Sequence, residues 1–396
     1  MSATVQTRPQ ATGRTAMAVL VGVSICHLLN DMLQVLLPAV YPLLKGGFNL
    51  NFAQIGLITL VYQATGSLLQ PLVGLYTDAR PMPYSLPVGM ALSMSGIVTI
   101  AWAPSYDILL AGACLLGMGS SIFHPESARI ARVASGGRHG LAQAIFQVGG
   151  NFGQSLGPLL AAFFILPRGR ASMAWFAIAA LCGMALLTAL GHWFRASGHA
   201  RPRQRTTLTA ADLDTRKVLV PLALLGVLMM SKFVYLSSIN SYYIFYLMHR
   251  FGLKVQAAQI DLFIFLASAA AGIMIGGPIG DRVGRRTVII GSILGVLPFT
   301  LALPYVGETM TVVLSVIIGL ILSSAFASIV VYANELVPGR VGAVSGLFFG
   351  LAFGIAGLGA AGLGVVADWT SITTVYQICA VLPALGIVAL WLPKLH

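Results

Sequence analysis

Charge is what this sequence has least of: only 9% of its 396 residues are Asp, Glu, Lys or Arg, and just 11 are acidic. A soluble domain carries about 25% charged residues, so this chain has too few to face water over a whole surface. Disordered and collagen-like classes are excluded by the same shortage, since 57% of the residues are apolar and the mean hydropathy is +0.88. Cysteine is scarce as well. Cys26, Cys114, Cys182 and Cys379 each sit in an apolar run, with no CxxC pair and no metal-ligand spacing, which excludes a disulfide framework and predicts no metal. No Walker A or Walker B segment exists, so ATP hydrolysis by this chain is excluded, and no cofactor is expected. The net charge of +12 comes without a basic and aromatic surface patch, which argues for orientation in a membrane and against nucleic acid. Arg8 and Arg14 precede an apolar stretch that has no A-x-A site and contains Asp31, so a removable signal peptide is not expected.

What the sequence does have is long apolar runs, and a spanning helix needs roughly 20 such residues. Runs bounded by charge, Pro or Gly place six spans at 16–44, 53–74, 84–103, 106–128, 140–166 and 172–194, and six more at 218–248, 258–279, 287–306, 309–334, 342–366 and 372–392. An all-α integral membrane protein with twelve transmembrane helices follows. Between the sixes lies 195–217, the one long polar stretch, rich in Arg. The expected organisation is therefore an N-terminal six-helix bundle over 1–194, a basic cytoplasmic linker over 195–217 and a C-terminal six-helix bundle over 218–396.

Of the 23 Lys and Arg, 17 fall on the termini, the linker and the even-numbered connections, 5 on the odd-numbered ones, and Lys232 lies inside a span. That bias predicts both termini in the cytoplasm. The halves also repeat. Arg138, Gly140, Phe146, Leu156 and Gly157 recur 202 residues later as Arg340, Gly342, Phe348, Leu358 and Gly359. Two pseudo-symmetric bundles of the same orientation point to a duplicated transporter with its site between the halves.

After span 8 the chain reads Gly277-Pro278-Ile279-Gly280-Asp281-Arg282-Val283-Gly284-Arg285-Arg286. In residue type and spacing this resembles the cytoplasmic-loop motif of the major facilitator superfamily. The copy after span 2 keeps Gly74 and Asp78 but is degraded beyond them. Span 5 contains Gly153-Gln154-Ser155-Leu156-Gly157-Pro158, similar to the antiporter pattern of that superfamily, with small-residue helix packing as the competing reading. Cys26-His27-Leu28-Leu29-Asn30-Asp31, Ser67 to Pro71, Phe123 to Arg129, Gly136 to Gln143 and Pro338-Gly339-Arg340 narrow the likeness to the fosmidomycin-resistance branch of bacterial drug exporters within that superfamily. The resemblance covers about residues 20 to 390. It implies the major facilitator fold, a bacterial cytoplasmic (inner) membrane, and proton-driven efflux of a small anionic phosphonate antibiotic by alternating access.

Polar groups at membrane depth mark a pathway independently, because a charge near the centre costs about 2.5 to 3.5 kcal/mol. Asp31 and Lys232 share a depth of roughly 21 to 23 Å along their helices by helical rise. In the facilitator fold spans 1 and 7 line the central cavity, so the resemblance allows a bridging pair or a shared substrate site. The expected substrate-binding residues are Lys232, His27, Asn30, Gln147, Asn151 and Tyr242, with Lys232 supplying the field for the anion. Asp31 is the expected proton carrier, helped by His27 one turn earlier, with Glu126 in reserve beside His124. Gating at the cytoplasmic ends is assigned to Asp78, Arg129, Asp281, Arg282, Arg285, Arg286 and Arg340. Gln143, Gln147 and Asn151 on span 5, and Gln63, Ser67 and Gln70 on span 2, form polar stripes that suit either a wet wall or interhelical bonding. The run Ser237 to Ser241 reads as a break in span 7.

Three rival readings are weaker. His124-Pro125-Glu126 imitates the H-x-E of zinc deaminases, but no P-C-x-x-C follows. Gly357 to Gly362 fits G-x-G-x-x-G, yet it lies within an apolar span with no strand before it. A membrane enzyme using His124, Glu126 and Asp31 as acid and base would need neither the repeat nor the loop motif, so an enzyme is not expected. The partners expected are the anionic substrate, protons and the lipid bilayer, around a monomer. Within the transporter class the alternative is uptake or exchange of a natural organic anion.

Overall fold

Inside lipid every backbone N–H and C=O must be satisfied within the protein, and for a single apolar segment only a helix achieves that. The computed structural model of the chain describes residues 15–80, 82–197, 218–337 and 341–393, and it is helical throughout, with no strand among the described residues. Arg340 and most of the 195–217 linker lie outside the described residues, as do the side chains of Asp78 and Asp281.

Spans 1 to 6 are Met17–Ala39, Phe52–Ala79, Ser85–Trp102, Tyr106–Ala134, His139–Leu160 and Phe176–Ala196, and spans 7 and 8 are Leu219–Phe251 and Val255–Val283. Span 9 begins as Arg285–Gly295 and continues through Leu297–Ala302; spans 10 and 11 are Glu308–Leu336 and Val341–Trp369; span 12 begins as Ile372–Val381 and tightens to a 3-10 helix over Leu382–Trp391. Eleven of these are long and apolar enough to cross a membrane. Span 5 falls short because Gln143, Gln147, Asn151 and Gln154 interrupt its apolar face.

Helix ends follow local chemistry. Asn51 and Gln54 form a reciprocal capping box at the start of span 2, and Gly252 takes a left-handed φ of 68° to stop span 7. Spans 2, 4 and 8 run several residues beyond their apolar stretches, because hydropathy reports where lipid ends and a helix can continue into water. The expected break in span 7 is absent: the helix runs unbroken for 33 residues. Its serines bond to carbonyl groups that are already present, Ser238 Oγ to Tyr235 O and Ser237 Oγ to Ala356 O, both at 2.7 Å, so hydroxyls here cost the helix nothing.

In the first half span 1 packs on spans 5 and 6, and span 4 packs on spans 2 and 3. In the second, span 10 packs on spans 8 and 9, and span 7 on spans 11 and 12. The halves meet where span 2 lies along span 11 and span 5 along span 8. Trp102, Trp175 and Trp369 stand exposed at span ends, where indole rings suit the membrane interface.

The two halves are sealed at the end that carries Ala39 and Phe52. The Asp368 carboxylate of span 11 accepts from the N–H groups of Phe52 (2.8 Å) and Ala53 (2.7 Å), the open N-terminus of span 2. The Gln259 amide of span 8 donates to the Ala39 carbonyl of span 1, and Thr59 meets Ser241 at 3.4 Å. Glycine permits the approach of spans 2 and 11. A methyl group on Gly56 would stand 2.5 Å from the Ala360 oxygen and 2.7 Å from Tyr242 Oη. Gly56→Leu is therefore expected to wedge this end open. Overpacking of about 1 to 3 kcal/mol corresponds to a loss of roughly 5- to 150-fold in initial transport rate at matched expression. A wild-type rate would show that this seal does not close during the cycle.

Candidate functional site

Helical spacing puts His27, Asp31 and Gln34 on one buried face of span 1, at i, i+4 and i+7. That face meets spans 4 and 5. His27 Nε2 lies 3.3 Å from Asp31 Oδ2, and His124 Nε2 of span 4 lies 3.4 Å from Asp31 Oδ1. Each carboxylate oxygen also accepts from an amide: Oδ1 from Asn30 Nδ2 at 3.0 Å and Oδ2 from Gln154 Nε2 of span 5 at 2.9 Å. The three ionisable side chains lie close enough to hold protons in common.

The second ring nitrogens are also placed. His27 Nδ1 meets the Phe146 carbonyl at 2.8 Å, and its ring stacks on that of Phe146 with centroids 3.9 Å apart. His124 Nδ1 meets the Ser120 carbonyl at 3.1 Å. Span 5 can come this close because Gly149, Gly150 and Gly153 face span 1; a methyl on Gly150 would enter the His27 imidazole. The glycines of the antiporter-like stretch thus act in packing: Gly153 abuts Leu28 and Gly157 abuts Val35.

The cluster extends through residues that sequence reasoning missed. Tyr62 Oη donates to Gln34 Oε1 at 2.6 Å, and Ser120 Oγ donates to the same oxygen at 3.2 Å. Gln34 was detectable as the polar residue one turn after Asp31. Tyr62 was not, because its neighbours Gln63 and Ser67 carried the polar stripe. Those two face span 11 instead: Gln63 adjoins Gly357, and Ser67 adjoins Gly350 and Gly354.

Lys232 stands apart from this cluster. It is 1% exposed, its Nζ meets the Ser323 carbonyl at 3.5 Å, and the rings of Phe233 and Phe326 lie 5.6 and 5.4 Å away. Among the described residues no carboxylate comes within ion-pair reach of it. Asp31 and Lys232 therefore hold separate positions, one in each half, and form no bridge. Asn151 keeps a buried amide nitrogen without a partner, while Gln147 is half-buried. Tyr242 belongs to the sealed end, donating to the Ala360 carbonyl at 2.6 Å.

At the opposite end Arg129, Arg285 and Arg286 each have a partner within their own half. Arg129 pairs with Glu126 at 3.3 Å and donates to the Thr77 carbonyl at 2.9 Å. Arg285 pairs with Glu335 at 2.9 Å, and Arg286 donates to the Leu390 carbonyl at 2.7 Å. Arg282 is exposed. Glu126 is thus engaged with a cation of its own helix.

Comparison with known proteins adds to this geometry. The profile of the Major Facilitator Superfamily matches residues 23–260 and again 227–396. The fosmidomycin resistance protein of Escherichia coli (strain K12) is 56% identical over 380 residues, which is 96% of this chain and 94% of that one. The MFS-type transporter YfnC of Bacillus subtilis (strain 168) is 41% identical, over 97% of this chain and 95% of its own. Among solved structures, the nucleoside transporter NupG superposes with a TM-score of 0.74 at 15% identity, covering 96% of this chain and 100% of that one. A bacterial homologue of the lysosomal transporter Spinster gives 0.71 at 17% identity, covering 96% and 95%.

Proposed function

The chain belongs to the Major Facilitator Superfamily, and from that membership we propose that it exports a small anionic antibiotic of the fosmidomycin type in exchange for protons. It is a multi-pass membrane transporter and not an enzyme. Export by alternating access would run between two six-helix bundles, 1–194 and 218–396, joined by the cytoplasmic linker 195–217. The setting is a bacterial inner membrane with both termini inside, and the working unit is a monomer.

The observation that carries the proton half of this reading is the His27–Asp31–His124 cluster, two imidazoles on one buried carboxylate. A charge at that depth needs a partner, and here the partners are two imidazoles, each with a ring nitrogen that can take up or give off a proton. The drug half rests on Lys232, a buried cation without a carboxylate, for which an anionic phosphonate is the fitting counter-ion, and on the name of the 56% identical relative. Asn30, Asn151 and Gln147 offer further polar contacts. His27 is better assigned to the proton site than to the drug, since both its ring nitrogens are engaged.

Everted membrane vesicles test the direction. With an acid interior they should accumulate labelled fosmidomycin above the outside concentration, and the accumulation should collapse when an ionophore removes the pH gradient. Accumulation only with an alkaline interior would mean proton-coupled uptake of an organic anion and would reject export.

A further inference from the structure

The partners of each ring nitrogen at the cluster constrain where its protons can sit. A backbone carbonyl only accepts, so a ring nitrogen bonded to one must carry a hydrogen. His27 Nδ1 faces the Phe146 carbonyl, and His124 Nδ1 faces the Ser120 carbonyl together with the Ser120 hydroxyl at 3.3 Å, whose own hydrogen goes to Gln34 Oε1 and whose oxygen is left to accept. Both rings are therefore protonated at Nδ1, and in a neutral imidazole Nε2 is then a bare acceptor. Yet both Nε2 atoms point at carboxylate oxygens, at 3.3 and 3.4 Å. Without added protons each contact sets one lone pair against another.

Asp31 itself shows where the protons go. Both its oxygens already accept from an amide, Asn30 Nδ2 and Gln154 Nε2, the pattern of an ionised, acceptor-only carboxylate. A proton on Asp31 could relieve one of the two imidazole contacts and never both. Protons on the two Nε2 atoms relieve both, and give each imidazolium a charge-assisted bond to the same carboxylate.

We infer that the coupling protons are carried on Nε2 of His27 and Nε2 of His124, two sites on one cluster, with Asp31 as their fixed counter-ion. This rests on the proton-coupled reading above and revises its carrier. Each cycle adds a proton to each Nε2 from the outer side and releases both to the cytoplasm, so the cluster alternates between net charges of −1 and +1. The surroundings contribute little charge. On span 1 the other titratable group is Cys26; on span 2 it is Tyr62, bonded to Gln34. Span 4 offers Glu126 and Arg129, paired with each other. Span 5 presents Gln154 and Asn151, and span 11 presents Phe353, 6.5 Å from the His124 ring, all uncharged.

The test is proton release on drug binding, using the full-length protein in detergent and weakly buffered solution, with fosmidomycin as the probe and pH scanned to find maximal release. Wild type should release about two protons per bound drug, His27→Gln and His124→Gln about one each, and the double variant none. Infrared difference spectra of wild type, which depend on no variant's folding, should show imidazole ring bands and no protonated-carboxyl band that Asp31→Asn abolishes. A carboxyl band lost in Asp31→Asn, together with a proton still released by the double histidine variant, would return the carrier role to Asp31 and leave coupling intact. No release from wild type, in a protein whose vesicle transport still follows the pH gradient, would reject both the histidines and this cluster as the coupling site.

Discussion

Lys232→Met is expected to abolish export of the anionic drug while leaving the protein as heat-stable as wild type or more so. The ammonium lies at membrane depth with a carbonyl 3.5 Å away and two phenyl rings around it, so its burial is only partly compensated in the absence of a ligand. Methionine has nearly the same length and none of the charge, and relieves that cost. The drug, in contrast, loses its counter-ion. Breaking a buried pair costs about 3 to 5 kcal/mol, a factor of at least roughly 100 in binding. Efflux assays in cells and melting curves of the purified protein check both halves of the expectation. Wild-type efflux would remove Lys232 from the site, and a collapse in melting temperature would make it a structural residue.

Asp31→Asn should separate coupling from movement. The amide keeps the shape of the carboxylate and can still bond to Asn30 or Gln154, but it cannot hold two imidazolium ions in a buried site. In proteoliposomes, drug accumulation driven by a pH gradient is expected to fall to the level of simple equilibration. Drug-for-drug counterflow, which needs no net proton movement, should persist. Should Asp31→Asn still concentrate drug while Glu126→Gln fails, coupling would lie at Glu126.

Most of the fold was legible because lipid imposes a strong rule: runs of apolar residues between charged ends become helices. Span 5 marks the limit of that signal, since Gln154, one of the amides that weaken its hydropathy, is the one that bonds to Asp31. The serines of span 7 misled for a related reason. Composition treats a hydroxyl as a polar interruption, whereas Ser237 and Ser238 spend theirs on carbonyl groups. At the site, His27 and Asp31 could be joined by helical spacing alone. Their union with His124 could not, because nothing in the chain states how span 4 is rotated against span 1. Helical rise gives Asp31 and Lys232 a position along their axes and says nothing of azimuth, and the two side chains turn to different neighbours.

The Asp368 contact has a consequence for speed. Its carboxylate, exposed to solvent, spans from one half to two N–H groups of the other. When the halves part, water can take over every one of those bonds, so the contact fixes alignment without creating a deep trap. In the proposed export cycle this end has to open in every turnover, and a fastening that solvent can replace lets the protein leave the closed state quickly. The same groups buried in a dry interface would hold harder, and the transporter would spend its time waiting to open.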